Sequence, residues 1–363
     1  MTGARVAVVG IHGHGASHVR NVARLAEAGR AELVAVADPL GATDLPPGVQ
    51  VFAGLDELLA ATEIDVVVIC TPIQTHVPLA TLAMRAGADV LLEKPPTASL
   101  AEFEQLSAVV AETGRACQVG FQAQASEATL TLARMIADGE LGEIRGISAT
   151  GKWVRTARYF QRARWSGKRR LDGVDVVDGA VTNPLAHAAA AALLLDGSTG
   201  VDDVRSIETE LYRANPIESD DTSAVRITTS RGTKILIAVT LCATEHLEAS
   251  VIVHGSERRA VLTYQADLID GVKYGRADLL ENLLAHRADP SVPLYVPLAA
   301  TGGFTRVVEA VRTAPDPAVI PAELVDWEGE GPDRRPILRD VEKWIDRASD
   351  ELALFSEIDA PWA

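Results

Sequence analysis

Near the start of the chain, the valine-rich run Arg5–Val9 breaks at Gly10 into a turn carrying His12, Gly13, His14 and Gly15. A second apolar run, Val34–Ala37, ends on Asp38. This pattern restricts the fold. A strand that stops on glycine and hands over to a helix lets the backbone come close to a phosphate, and the helix supplies unpaired N–H groups. An acid at the tip of the next strand can accept hydrogen bonds from a ribose diol. Gly10, His12, Gly13, Gly15 and Asp38 are therefore expected to bind a dinucleotide. In a strict G-x-G-x-x-G reading the second glycine is replaced by His12, with Gly13 one place later. The Gly10–Asp38 gap exceeds the usual ~20 residues, which a long first helix absorbs. Asp38 would repel a 2′-phosphate, so NAD is expected rather than NADP.

The turn opens a longer alternation. Apolar runs at 6–9, 33–37, 66–70, 90–92 and 116–121 read as buried strands, with amphipathic helices near 15–28, 55–61, 76–86 and 99–113 between them. That order implies a parallel sheet with helices on both faces and ligands at the carboxyl ends of its strands. After Gln122 the texture changes. A helix is expected over 126–138, then β-branched strands at 143–150, 204–213, 222–230, 233–241, 249–255 and 258–264 without interleaved helices. This predicts a largely antiparallel sheet in an α+β domain. Helices are expected again at 275–286 and 303–313, loop over 314–334, and a final helix at 338–355. The expected division is a dinucleotide-binding domain over 1–121 and a substrate and oligomerisation domain over 122–337. A C-terminal helix and tail, 338–363, is expected to pack back on the first domain.

Composition excludes several roles. A net charge of −16 disfavours nucleic acid and a general membrane surface. Cys70, Cys117 and Cys242 share no metal-ligand spacing, their odd number does not suggest a disulfide framework, and Cys70 reads as a small buried hydrophobe. With no signal peptide and no apolar run of spanning length, the expectation is a cytoplasmic, soluble protein.

Three clusters fall at expected strand ends or helix starts. In Cys70-Thr-Pro-Ile-Gln-Thr-His76, Thr71 and Pro72 end a strand where a cofactor would lie, and Thr75 is placed to cap the next helix. In Glu93-Lys94-Pro95-Pro96, a lysine at the sheet edge can donate to a substrate hydroxyl or help remove its proton, and a proline behind it can pin the turn, through a cis bond if one forms. Asn183-Pro-Leu-Ala-His187 heads an alanine-rich helix, 187–195, and spacing by four sets both side chains on one helical face. His76, Glu93, Lys94 and Gln122 join Thr71 and Pro72 as expected cofactor contacts, although Glu93 can equally be a loop brace.

Together, the glycine-rich start, the Thr-Pro pair with downstream His76, the Glu-Lys-Pro triplet and the late polar-x-x-x-His helix resemble the Gfo/Idh/MocA family of glucose–fructose oxidoreductase and inositol dehydrogenase, over essentially the whole chain. The resemblance implies a Rossmann domain followed by an α+β domain whose open sheet forms homo-oligomer contacts. It also implies an NAD(P) cofactor and a sugar, cyclitol or sugar-derivative substrate. Lys94 matches the family's catalytic lysine and His187 its catalytic histidine. Asn183 stands where many members carry aspartate, and an amide can orient substrate or His187 but cannot take a proton. The implied reaction removes hydride from a carbon bearing a hydroxyl. His187 is the preferred base and Lys94 supports the oxygen, with exchange of these roles left open. Ammonium and imidazole are expected to meet at one substrate. A redox-neutral glycosidase or lyase using transient oxidation is the alternative, and a non-enzymatic dinucleotide sensor the third reading.

Residues 152–170 form a basic island in this acidic chain: Lys152, Arg155, Arg158, Arg162, Arg164, Lys168, Arg169 and Arg170, with Trp153, Tyr159, Phe160 and Trp165 interleaved. It reads either as a solvated loop balancing acidic surface or as a substrate lid. In the lid, Arg158 and Arg162 would grip an anionic substituent while Trp165 stacks on a sugar face. His12, His14 and His18 are expected near phosphate or nicotinamide, and no metal site is expected.

Overall fold

The computed structural model describes residues 3–363, which separate into two compact units, 3–121 with 277–299 and 122–276 with 300–363. In the first unit, β1 (Ala4–Val9), β2 (Ala31–Ala37), β3 (Gln50–Phe52), β4 (Val66–Ile69), β5 (Asp89–Leu92) and β6 (Cys117–Val119) form one parallel sheet in the order β3-β2-β1-β4-β5-β6. The helices α1 (Gly15–Glu27), α2 (Leu55–Ala61), α3 (His76–Arg85) and α4 (Leu100–Thr113) connect them. Val6, Val8 and all of β4 are fully buried, as strands covered on both faces must be. Strand order reverses between β1 and β4, so the crevice beyond their carboxyl ends is where such a sheet takes a ligand.

The segment 277–299 corrects the expected boundary. Its helix α8 (Leu279–Ala288) packs against β5, and Gln118 donates its side-chain amide to Leu279 O at 2.5 Å. Val119 N–H donates to Val296 O at 2.9 Å. Arg287 reaches Asp89 at 2.7 Å and Asp65 at 2.9 Å, tying α8 to the amino ends of the strands.

In the second unit, α5 (Glu127–Ala137) precedes β7 (Ile144–Lys152), α6 (Ala157–Gln161) and a small hairpin of β8 (Arg170–Leu171) and β9 (Val174–Asp175). Then come α7 (Ala186–Asp196), β10 (Val204–Arg213), β11 (Thr222–Thr229), β12 (Lys234–Thr240), β13 (Ser250–Gly255) and β14 (Arg259–Thr263). Edge strands β15 (Leu268–Ile269), β16 (Val272–Lys273) and β17 (Ala318–Val319) complete a nine-stranded sheet, β16-β15-β14-β13-β7-β12-β11-β10-β17. Only the β7–β12 and β10–β17 pairs are parallel, in keeping with the largely antiparallel expectation. The alanines of α7 allow close approach to β7, where a Cβ on Gly151 would lie 2.4 Å from Leu185. α9 (Gly302–Thr313) packs beside α7.

The expected loop 314–334 contains β18 (Val325–Glu328), which pairs with β19 (Arg335–Leu338). The closing helix, α10 (Val341–Glu351), starts later than expected because Leu338 belongs to β19. Val341, Ile345 and Ala348 join Leu236, Ala238, Phe355 and Trp362 in one core. The tail therefore packs on the nine-stranded sheet of its own unit, which corrects the expected return to the first domain. No helix among the described residues is long and apolar enough to cross a membrane.

Candidate functional site

In the first unit the glycine turn is built by close approach. Gly10 has φ +78°, and a Cβ there would lie 2.7 Å from Cys70 O, so β1 and β4 meet backbone to backbone. A Cβ on Gly15 would fall 1.8 Å from Gly10 O, so α1 starts directly on the turn. Gly13, at φ +64°, faces open space. Asp38 is buried at the tip of β2 and accepts the Ile11 N–H and the Leu40 N–H, each at 3.0 Å. His12 is exposed, with Nε2 3.2 Å from Gly41 O.

Glu93 links this turn to the lysine loop. Its Oε1 lies 3.0 Å from His18 Nε2 and 3.3 Å from His14 Nε2, and its Oε2 accepts the Lys94 N–H at 3.1 Å. Burial alone would raise the Glu93 carboxyl, but hydrogen bonds from His14 and His18 outweigh it and hold the group far below the usual carboxylate range. The same bond to Glu93 raises His14. Lys94 is partly buried at the carboxyl end of β5, and the Lys94–Pro95 peptide is cis.

His76 corrects one expectation. It is buried, with Nδ1 3.0 Å from Pro95 O and Nε2 2.9 Å from Thr71 O. Burial lowers its pKa despite those carbonyls, and a neutral ring donates from one nitrogen only. It sits buried between the Thr71 and Pro95 carbonyls and bonds one of them, so its ring packs the Thr71–Pro72 turn against the Lys94 loop and both nitrogens are turned to backbone. Thr71 Oγ1 accepts from the Thr75 hydroxyl at 2.6 Å, and Thr75 makes no side-chain cap to α3. Pro72 is exposed beside it.

In the second unit Asn183 precedes α7, in a turn where its N–H donates to Gly179 O at 3.1 Å. The shared helical face expected for Asn183 and His187 is therefore replaced by a turn and a helix start. Asn183 Nδ2 donates to Asp178 Oδ1 at 2.5 Å. The other Asp178 oxygen accepts the Gly167 N–H at 2.6 Å. Asp220 braces the turn from below, accepting from Ala180 N–H at 3.0 Å and Ser223 Oγ at 2.5 Å, and burial pushes its carboxyl up. His187 lies in the first turn of α7, its ring 6.1 Å from that of Tyr264. Tyr264 is buried, and its hydroxyl makes no hydrogen bond among the described residues. Gln122 opens a short 3-10 turn at the head of this unit.

Residues 4–121 match an oxidoreductase family with an NAD-binding Rossmann fold, named GFO_IDH_MocA, and residues 129–261 match the GFO/IDH/MocA C-terminal domain. The chain belongs to the Gfo/Idh/MocA family. It is 27% identical to inositol 2-dehydrogenase of Rhizobium meliloti over 67% of this chain and 72% of that protein. It is 36% identical to scyllo-inositol 2-dehydrogenase (NAD(+)) of Bacillus subtilis over 38% of this chain and 42% of that one. In fold it is similar to the WlbA dehydrogenase of Bordetella pertussis, crystallised with NADH and UDP-GlcNAcA. That match has a TM-score of 0.71 at 22% identity and covers 85% of this chain and 95% of the other.

As a Gfo/Idh/MocA member the chain is an NAD-binding oxidoreductase. Its own residues fit the dinucleotide: Gly13 leaves the turn open, and Asp38 presents an acid at the end of β2.

The basic island of this family member is largely answered from within. Arg158 pairs with Asp333 at 3.0 Å, Arg164 with Asp172 at 3.1 Å, Lys168 with Glu218 at 2.8 Å and Arg170 with Asp175 at 2.7 Å. Lys152 pairs with Asp346, and Arg169 donates to the carbonyls that end α9. Arg158 is two-thirds exposed and pairs with an equally exposed acid. Arg162 and Arg155 differ. Arg162 stacks 3.6 Å over Tyr159 and 4.7 Å over Trp165, with Asp178 at 3.6 Å. Arg155 stacks on Tyr159 and Trp153.

Sequence reasoning missed Asp178, Asp220, Tyr264 and the pairing of Glu93 with His14 and His18. Asp178 carries a weak signal, an acid before a Gly-Ala turn. The others depend on contacts between distant segments.

Proposed function

We propose that this oxidoreductase converts a secondary alcohol of a sugar, cyclitol or sugar derivative, anionic ones included, to the ketone. The observation that carries the reading is the tether between Lys94 and the dinucleotide turn. Glu93 binds His18 of α1 with one oxygen and the Lys94 N–H with the other, so the ammonium is carried by a loop fixed to the cofactor's own cradle. The bound dinucleotide supplies the hydride acceptor. Lys94 donates a hydrogen bond to the substrate oxygen and stabilises its growing negative charge. His187 takes the hydroxyl proton, and Asn183, held by Asp178, orients the substrate or the imidazole. The cofactor contacts are Gly10, His12, Gly13, Gly15, Asp38, Thr71, Pro72, Glu93 and Gln122. Arg162 and Trp165, already stacked, form the substrate wall. The same reading expects a homo-oligomer through the nine-stranded sheet. The oxidation–elimination route gains no support, since the relatives above carry dehydrogenase names.

The test is a panel of inositols, neutral sugars and uronates, followed by cofactor reduction and product analysis together. Lys94→Ala lowers kcat by about 10²–10⁴-fold with NAD affinity nearly intact. The double variant with His187→Ala loses less than the product of the two single losses. A Lys94→Ala enzyme with near-normal kcat removes Lys94 from the mechanism.

A further inference from the structure

We infer that His14, His18 and Glu93 form a binding site for a divalent transition cation of the zinc class. The donor atoms all lie within 4.8 Å of one another. Two of the three edges, 3.0 and 3.3 Å, match the ~3.3 Å edge of a tetrahedron with zinc–ligand bonds of ~2.0 Å. The remaining edge closes by rotation of His14, whose side chain is 61% exposed.

The local chain explains why the donors converge. His14 and His18 are four apart at the start of α1, so both rings project from one side. Their planes stand at 89° with centroids 5.3 Å apart, and both Nε2 atoms lie beside one carboxylate oxygen. Glu93 is held from behind by the Lys94 N–H, the outer support that orients metal-ligating carboxylates. His18 and Glu93 are mostly buried and His14 is not, so an ion has a fixed floor and an open entrance.

Two imidazoles and one carboxylate select zinc, cobalt or nickel over magnesium or calcium, which prefer all-oxygen sets. Three protein ligands leave one tetrahedral position for solvent.

The experiment uses the untagged full chain stripped of NAD, with Co²⁺ titrated by visible absorption and Zn²⁺ by calorimetry. One ion per chain is expected, with the absorption of tetrahedral cobalt. His14→Ala should bind at least tenfold more weakly. Because that ring is exposed, the fold is checked by circular dichroism, and Glu93→Gln serves as a second ligand deletion. Absent stoichiometric binding, or equal affinity in wild type and both variants, overturns the site. None of these readouts depends on the substrate or on turnover, so failure here is distinct from failure of the proposed reaction.

Discussion

Asp38→Asn is a one-atom change with two separable consequences. One carboxylate oxygen accepts the buried Ile11 N–H and the other the N–H of the exposed Leu40, each at 3.0 Å. An amide offers one acceptor. The amide can keep its oxygen on the buried Ile11 N–H and turn its NH₂ toward the Leu40 N–H, whose residue is exposed, so one bond is lost at a cost of about 1 kcal/mol. At roughly 2–4 °C per kcal/mol for a domain of this size, the melting temperature should fall by a few degrees. The second consequence concerns the ligand. Two charge-assisted bonds to the ribose diol weaken, and at ~1.4 kcal/mol per factor of ten the dissociation constant for NAD should rise about 10–100-fold. NADP, freed from repulsion of its 2′-phosphate, should lose less or gain, so the NAD/NADP ratio closes by more than tenfold. Titration of NADH and NADPH by fluorescence, beside thermal melts, reads both effects. A folded Asp38→Asn protein with unchanged NAD affinity would refute the role of this acid.

Other perturbations follow from the same packing. Gly15→Ala sets a methyl 1.8 Å from a backbone oxygen, so α1 must lift off the turn, and a stability loss of about 1–3 kcal/mol or more in chemical denaturation is expected. Burial alone would raise the Asp65 carboxyl, but bonds from Arg5 and the charge of Arg287 hold it below its ordinary value. Its folded pKa is thus below its unfolded one, and this stabilisation is complete above the unfolded value near 4 and lost as pH falls through the folded one. The acid limb of stability in urea should be flatter in Asp65→Asn, by at most about 1.4 kcal/mol per pH unit, and an identical limb would refute the assignment. Arg158→Ala removes an exposed pair and should shift stability by less than about 1 kcal/mol, with KM unchanged for anionic substrates.

The fold was legible where apolar periodicity is strong. β1, β2 and β4 are rich in valine and β5 and β6 are short and buried, whereas β3 is short and mostly exposed, and the alternation gives it no signal. The long antiparallel strands fall within a residue or two of expectation. The return of 277–299 was hidden because helix propensity says nothing about which sheet a helix covers. That assignment depends on Gln118, Asp65 and Asp89, all far away in sequence. At the site, Gly10, Gly15 and Asp38 announce their conformational needs locally. The burial of His76 and the meeting of Glu93 with His14 and His18 arise from strand order, so no local window contains them.

The divided first unit has a consequence for synthesis. Its sheet strands are complete at residue 119, but the helix carrying Arg287 emerges only after the intervening strands have been translated. Until then Asp65 and Asp89 lack that cation, and Gln118 lacks its carbonyl at Leu279. Ribosome-bound intermediates shorter than about 299 residues should therefore be protease-sensitive at those strand ends.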